Sequence, residues 1–188
     1  TTLATQHESQ RQAAVADRLV LTKTDLVPLQ EVAALRTRLA AINAGAIVYE
    51  APVAPGDLLG AGPFDRDSEP DDLARWLGAG HHDHDGAIAS LSLTAAEPLR
   101  IDRVVAWIEA TIARHGDRLL RLKGILDIEG SAVPIAVHGV QHVFHPLQPL
   151  GQWPEGPRSS RLVLIGRALP REEIAAGFAT ATGRSQRA

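Results

Sequence analysis

The sequence predicts two structural pieces in tandem. An α/β piece with a parallel sheet covers residues 1–60, and an antiparallel α+β sandwich covers residues 87–188. Three observations carry this reading. Leu19-Val-Leu21 and Ala46-Ile-Val-Tyr49 are short apolar runs on either side of a helical pattern, which is the strand–helix–strand unit of a parallel sheet. Gly56 to Gly86 is rich in Gly, Pro, Asp and His, and residues 61–86 read as a linker. From Ala87 onward the order β-α-β-β-β-α predicts an antiparallel sheet with helices on one face.

Taken in order, Gln6 to Ala16 reads as a helix, broken by Asp17 and Arg18. Pro28 suits the first turn of the next helix, in which Val32, Leu35, Leu39 and Ile42 recur at spacings of three or four. Asn43 and Gly45 stop it. Two strands do not make an open parallel sheet, so the first sixty residues or so are expected to be the end of a domain that begins upstream. The linker holds one helical pattern, Asp71 to Leu77.

Ile88 to Leu93 alternates as a strand with one buried face, and Ile101, Val104, Val105, Ile108 and Ile112 form a helical stripe closed by Gly116. Leu119 to Ile128 reads as a strand, Glu129-Gly130 as a tight turn, and Val133 to Phe144 as a returning strand with a bulge at Gly139. Leu162 to Ile165 reads as a central strand, and Arg171 to Thr182 as a closing helix.

The chain has 188 residues, 45% apolar, with a net charge of −3. That balance argues against a general nucleic-acid binder, which needs a basic face to neutralise phosphates. Cysteine is absent, so disulfides and thiolate metal sites within this sequence are excluded. No apolar run reaches ~20 residues, so no transmembrane helix is expected. The start, Thr-Thr-Leu-Ala, has neither an initiator Met nor a leader pattern. A cytoplasmic protein cut from a longer one is the expectation.

Three places hold residues suited to chemistry. Thr22-Lys23-Thr24-Asp25 follows a buried strand and precedes a helix. One carboxylate accepts from both guanine N1–H and the exocyclic amine, a donor pair that adenine lacks, and a nearby lysine stem can cover the base. The position is the carboxyl edge of the sheet, where open α/β folds bind ligands. The same letters also suit a polar strand end with Asp25 capping a helix.

His81, His82 and His84, in the run Gly80-His-His-Asp-His-Asp-Gly86, offer imidazoles for Zn²⁺ or Co²⁺, or form a solvated hinge. His138, Gln141, His142 and His145 meet at a metal only if a bulge gathers them; otherwise they are ordinary strand positions. Trp153, Arg161 and Arg167 suit packing and surface pairing. The sequence holds no G-x-x-x-x-G-K-[ST] phosphate loop, no G-x-G-x-x-G pattern and no G-x-S-x-G elbow.

In order and spacing, these residues resemble the C-terminal half of the CobW-type GTPases, the cobalamin-synthesis and metal-chaperone group. Gln12 through Val27 is similar to the family's Q…AD…NKTDL segment, with Thr22 where Asn is usual. Asn43 to Ala46 is similar to its N-P-x-A stretch near the base, with Ala44 in place of Pro. The histidine run sits where the family often carries one. Arg121-Leu-Lys-Gly124, His138-Gly-Val140, Trp153 and Arg161 through Arg167 resemble the landmarks R-x-K-G, Q-G-V, W and R-L-V-x-I-G-R.

The resemblance implies that residues 1–60 are the remnant of a P-loop GTPase domain and that 87–188 are a CobW C-terminal-like domain. It implies guanine binding by Thr22, Lys23 and Asp25, and auxiliary zinc or cobalt ligation by His81, His82 and His84. It also implies GTP in a complete parent, and as partners the parent's N-terminal GTPase portion and a metalloprotein client. The family's phosphate loop, magnesium carboxylates and Cys-x-Cys-Cys motif lie upstream in a complete member, so no GTP hydrolysis is expected of this chain alone. A non-enzymatic docking module with a plain histidine linker is the alternative, and a small zinc-binding protein built on its histidines is a third.

Overall fold

A computed structural model describes residues 7–59, 88–153 and 156–183. Helix α1 (His7–Val15) leads into strand β1 (Arg18–Leu21), helix α2 (Leu29–Ile42), strand β2 (Ile47–Glu50) and a short helix α3 (Pro55–Leu59). β1 and β2 pair in parallel, Arg18 opposite Ile47 through Leu21 opposite Glu50, as the strand–helix–strand pattern predicts. Val32 and Leu39 of α2 close over Leu21 and Ala13, with Leu19, Leu35, Ile42 and Val48 around them. Pro28 opens α2 without needing a backbone donor. The expected helix at 71–77 falls outside the described residues.

The second piece contains β3 (Ala89–Ala95), α4 (Ile101–His115), β4 (Leu119–Leu126), β5 (Ile135–Val140), β6 (Val143–Phe144), β7 (Gln148–Pro149), β8 (Ser160–Gly166) and α5 (Arg171–Ala181). The main sheet runs β3-β8-β4-β5-β6, with β7 beside β5. Its β3–β8, β8–β4 and β4–β5 pairings are antiparallel. β8 is central, as its unbroken apolar run predicts. The main core lies between the sheet and helices α4 and α5, where Leu122, Leu162 and Leu164 meet Val104, Trp107, Ile108, Ile174 and Phe178.

Two expectations need correction. Helices do not keep to one face: Leu120, Val163 and Ile165 on the opposite face are covered by Ala14, Val15 and Ile42 of α1 and α2. An apolar patch of that size demands cover, and the α/β piece supplies it. Secondly, Gly139 carries no bulge. It pairs regularly with Phe144, and the chain reverses at Gln141-His142, with Gln141 at φ 53°. A Cβ on Gly139 would lie 3.1 Å from the Val143 carbonyl, so the glycine admits a close hairpin partner instead. The register shift falls on β4, between Leu119 and Arg121. It explains why Leu119 and Leu122, an odd number of residues apart, both face α4, while Leu120 and Arg121 both face α1.

Candidate functional site

β1 ends at Leu21, whose carbonyl accepts the Ala51 N–H at 2.9 Å, and the chain then turns outward. Lys23 takes a left-handed conformation (φ 59°, ψ 33°), and its carbonyl accepts the Leu26 N–H at 3.2 Å to close a single 3-10 turn, Thr24–Leu26. Thr22, Lys23 and Asp25 are exposed, and Thr24 is half-buried. The loop therefore sits at the carboxyl edge of a parallel pair, with its lysine and carboxylate on one turn. A non-glycine residue in the left-handed region costs free energy and tends to persist where function holds it. Apolar side chains flank the loop in sequence: Leu26 is 71% exposed and Leu29 85%, with Val20 and Val27 also open.

The corner from α1 into β1, just before this loop, is held from two directions. From α2, Asn43 (2% exposed) donates through its Nδ2 to the carbonyls of Ala13 (3.0 Å), Ala14 (3.1 Å) and Ala16 (2.8 Å). The Ala13 and Ala14 carbonyls are ones that the end of α1 leaves without an intrahelical partner, and Ala16 follows the helix. The resemblance places Asn43 near the base, whereas the structure turns its amide inward onto α1. From β4, Arg121 (4% exposed) donates to the Val15 carbonyl and forms an ion pair with Asp17.

Beside Arg121 lies Lys123, 1% exposed and opposite His138 on β5. Burial, and then the Arg121 charge, pull its ammonium down to about 7, with Asp17 opposing. His138 is lowered by burial first, then by His145 and Arg121. The His138 and His145 rings stack with centroids 4.1 Å apart and 28° between planes. His142 points elsewhere, 4.0 Å from Asp117. Among the described residues no group of three or more His, Cys, Asp and Glu is placed to hold a metal ion. The turn at Gln141 brings His138 and His145 together and leaves His142 apart, so the three do not meet at one point. His81, His82 and His84 lie outside the described residues.

Trp153 packs on Ile125, Ala136 and Leu150, as a landmark in the core would. Arg121 and Lys123 read in the sequence as strand positions, whereas in the structure they form a buried polar cluster. The signal was the R-x-K-G stretch, which places two cations on one face of a strand rich in leucine.

Comparison with known proteins decides the relationship. Residues 88–182 match the model of the cobalamin synthesis protein CobW C-terminal domain. The chain belongs to the CobW family. This CobW-family chain is 34% identical over 177 residues to the zinc chaperone YjiA of Escherichia coli (strain K12), covering 91% of the chain and 54% of YjiA. The crystal structure of a Zn(II)-bound triple mutant of YjiA GTPase superposes with a TM-score of 0.73 at 32% identity, covering 92% of this chain and 54% of that one. Zn(II)-bound YjiA GTPase from E. coli gives 0.71 at 29% identity, over 96% and 56%. The CobW-family chain thus spans about half the length of the relatives it matches. Its mixed α/β fold with an antiparallel sheet accords with the CobW C-terminal domain. Among the described residues no helix is long and apolar enough to cross a membrane.

Proposed function

We propose that this chain is the C-terminal portion of a GTP-dependent metallochaperone, cytoplasmic, in which residues 1–60 complete a P-loop GTPase domain. Asp25 accepts from guanine N1–H and the exocyclic amine, Lys23 lays its stem over the base, and Thr22 borders the pocket. The α+β domain docks the GTPase portion or a metalloprotein client. His81, His82 and His84 are auxiliary ligands for the transported ion, zinc or cobalt. The observation that carries this reading is the exposed Thr22–Asp25 turn at the carboxyl edge of β1, in a chain similar over most of its length to a zinc chaperone. GTP hydrolysis in such a protein would switch the conformation that holds or releases metal.

Isothermal titration of the 188-residue chain with GTP and Mg²⁺ should give little or no heat, because no phosphate loop is present in this sequence. In the longer protein, Asp25→Asn should shift preference from GTP to xanthosine triphosphate by roughly 100-fold or more, since an amide complements the 2-oxo group as a carboxylate complements the amine. Tight Mg²⁺-dependent binding to the chain alone, or an Asn variant that still prefers GTP, would overturn the assignment.

Zinc titration of the chain tests the histidine run. Replacing His81, His82 and His84 with Ala should lower affinity about tenfold or more; an unchanged isotherm would remove the three from the metal site.

A further inference from the structure

The C-terminal sheet reaches the start of the strand that ends in the guanine loop. Arg121 of β4 grips the Val15 carbonyl and the Asp17 carboxylate. Asp17's own carbonyl accepts the Ile47 N–H at 3.0 Å, the first rung between β1 and β2, and Leu21's carbonyl accepts the Ala51 N–H beyond the last paired residues. Between these rungs lie only four residues, a lever on the order of 13 Å long. Beyond it the chain enters Thr22 to Asp25.

Ala14, Val15 and Ile42 also meet Leu120, Val163 and Ile165 in apolar contact between the two pieces. Such contact is non-directional and fixes no height for β1. The planar fork of Arg121, bonded to a carbonyl and a carboxylate at once, does fix it. Asp17 is shared further: its charge also reaches Lys123 and His138.

We propose that Arg121 is a positioning residue for the guanine loop, acting through Asp17 and Val15 to set where β1 delivers Lys23 and Asp25. This rests on the guanine reading above. It makes the C-terminal domain a determinant of base selectivity and not merely a docking module. A lysine at 121 keeps the charge but loses the fork, so it restores only part of the effect.

The test measures discrimination between GTP and inosine triphosphate, which lacks the exocyclic amine, in the full-length protein. Arg121→Gln should lower the GTP preference about fivefold or more, raising KM for GTP with kcat unchanged, and Arg121→Lys should fall between. In the 188-residue chain, the same variant should speed amide exchange at Leu19 and Leu21 at least about tenfold while Leu162 to Leu164 stay protected. Should Arg121→Gln not fold, Asp17→Ala, which removes the half-exposed end of the pair, carries the same expectations. Asp25→Ala separates the two readings. If it leaves the GTP preference intact, the guanine assignment falls and the positioning role with it. If it abolishes the preference while the Arg121 and Asp17 variants retain it, positioning alone is overturned.

Discussion

Lys123→Met should make the protein more stable near neutral pH, by on the order of a few kcal/mol, and should abolish the pH dependence expected of the wild type. Lys123 is buried in the sheet between His138 on β5 and Val163 on β8. Desolvation there pulls its pKa to about 7, whereas an unfolded lysine titrates near its ordinary value, 10.5. Between those values the unfolded chain holds a proton that the folded chain lacks. Stability therefore rises with pH across that window, by at most about 1.4 kcal/mol per pH unit. Below about 7 both states are protonated and the full cost of burying an ammonium is present.

The wild type should gain about 2 kcal/mol between pH 7 and pH 9, and Lys123→Met should gain almost none from this source. Methionine fills similar volume without a charge and suits an irregular apolar gap. Urea midpoints across that pH range, followed by tryptophan fluorescence, decide the matter. Parallel slopes for the two proteins would show that Lys123 does not carry the dependence. His138, also lowered, acts in the same direction but below its ordinary value of 6.5, outside the window.

Gly124→Val should cost about 3 kcal/mol, and Gly124→Ala somewhat less. A Cβ at this position would lie 2.5 Å from Leu162 Cδ2 and 2.6 Å from the Arg161 carbonyl oxygen. The leucine tip can swing aside, but the carbonyl belongs to the central strand β8 and is fixed by its ladder. The side chain also gains strand preference over glycine, worth roughly 0.5–1 kcal/mol, which is smaller than the clash. Thermal unfolding should show a midpoint lower by on the order of 10 °C. A midpoint within a degree or two of wild type would mean that β4 and β8 can separate locally at little cost.

The elements were legible where local pattern decides them. The stripe from Ile101 to Ile112, the glycine after it and the apolar run of β8 gave helix, stop and central strand in their observed places. The turn at Glu129-Gly130 was legible because Gly130 supplies the positive φ of 82°. Other features depend on residues distant in sequence. Arg121 and Lys123 read as the polar face of a strand, but their surroundings are set by Asp17 and α1, more than a hundred residues earlier. Asn43 read as a helix stop, which it is, yet its bonds to the end of α1 and to Ala16 follow from how α1 and α2 pack. Gly139 shows the reverse: a glycine in a strand suggested a bulge, while the tight hairpin at Gln141 needed the space. Of the site, the Thr22–Asp25 turn could be placed from its flanking strand and helix, whereas the buried grip on its base could not.

The central place of β8 has a consequence for synthesis. β3 and β4 do not pair with each other; each pairs with β8, which is translated after both. While residues 89–126 emerge from the ribosome, the two strands are therefore separated by an open slot the width of one strand. The hairpin of β4 with β5 can form early, but β3 must wait until Ser160 to Gly166 arrives. Closure is a late, long-range event, so folding of this domain should be slow and completed only after β8 has been made. Until then the nascent chain presents the edges of β3 and β4 to any neighbouring strand, which makes this interval the one in which a holding chaperone would matter most.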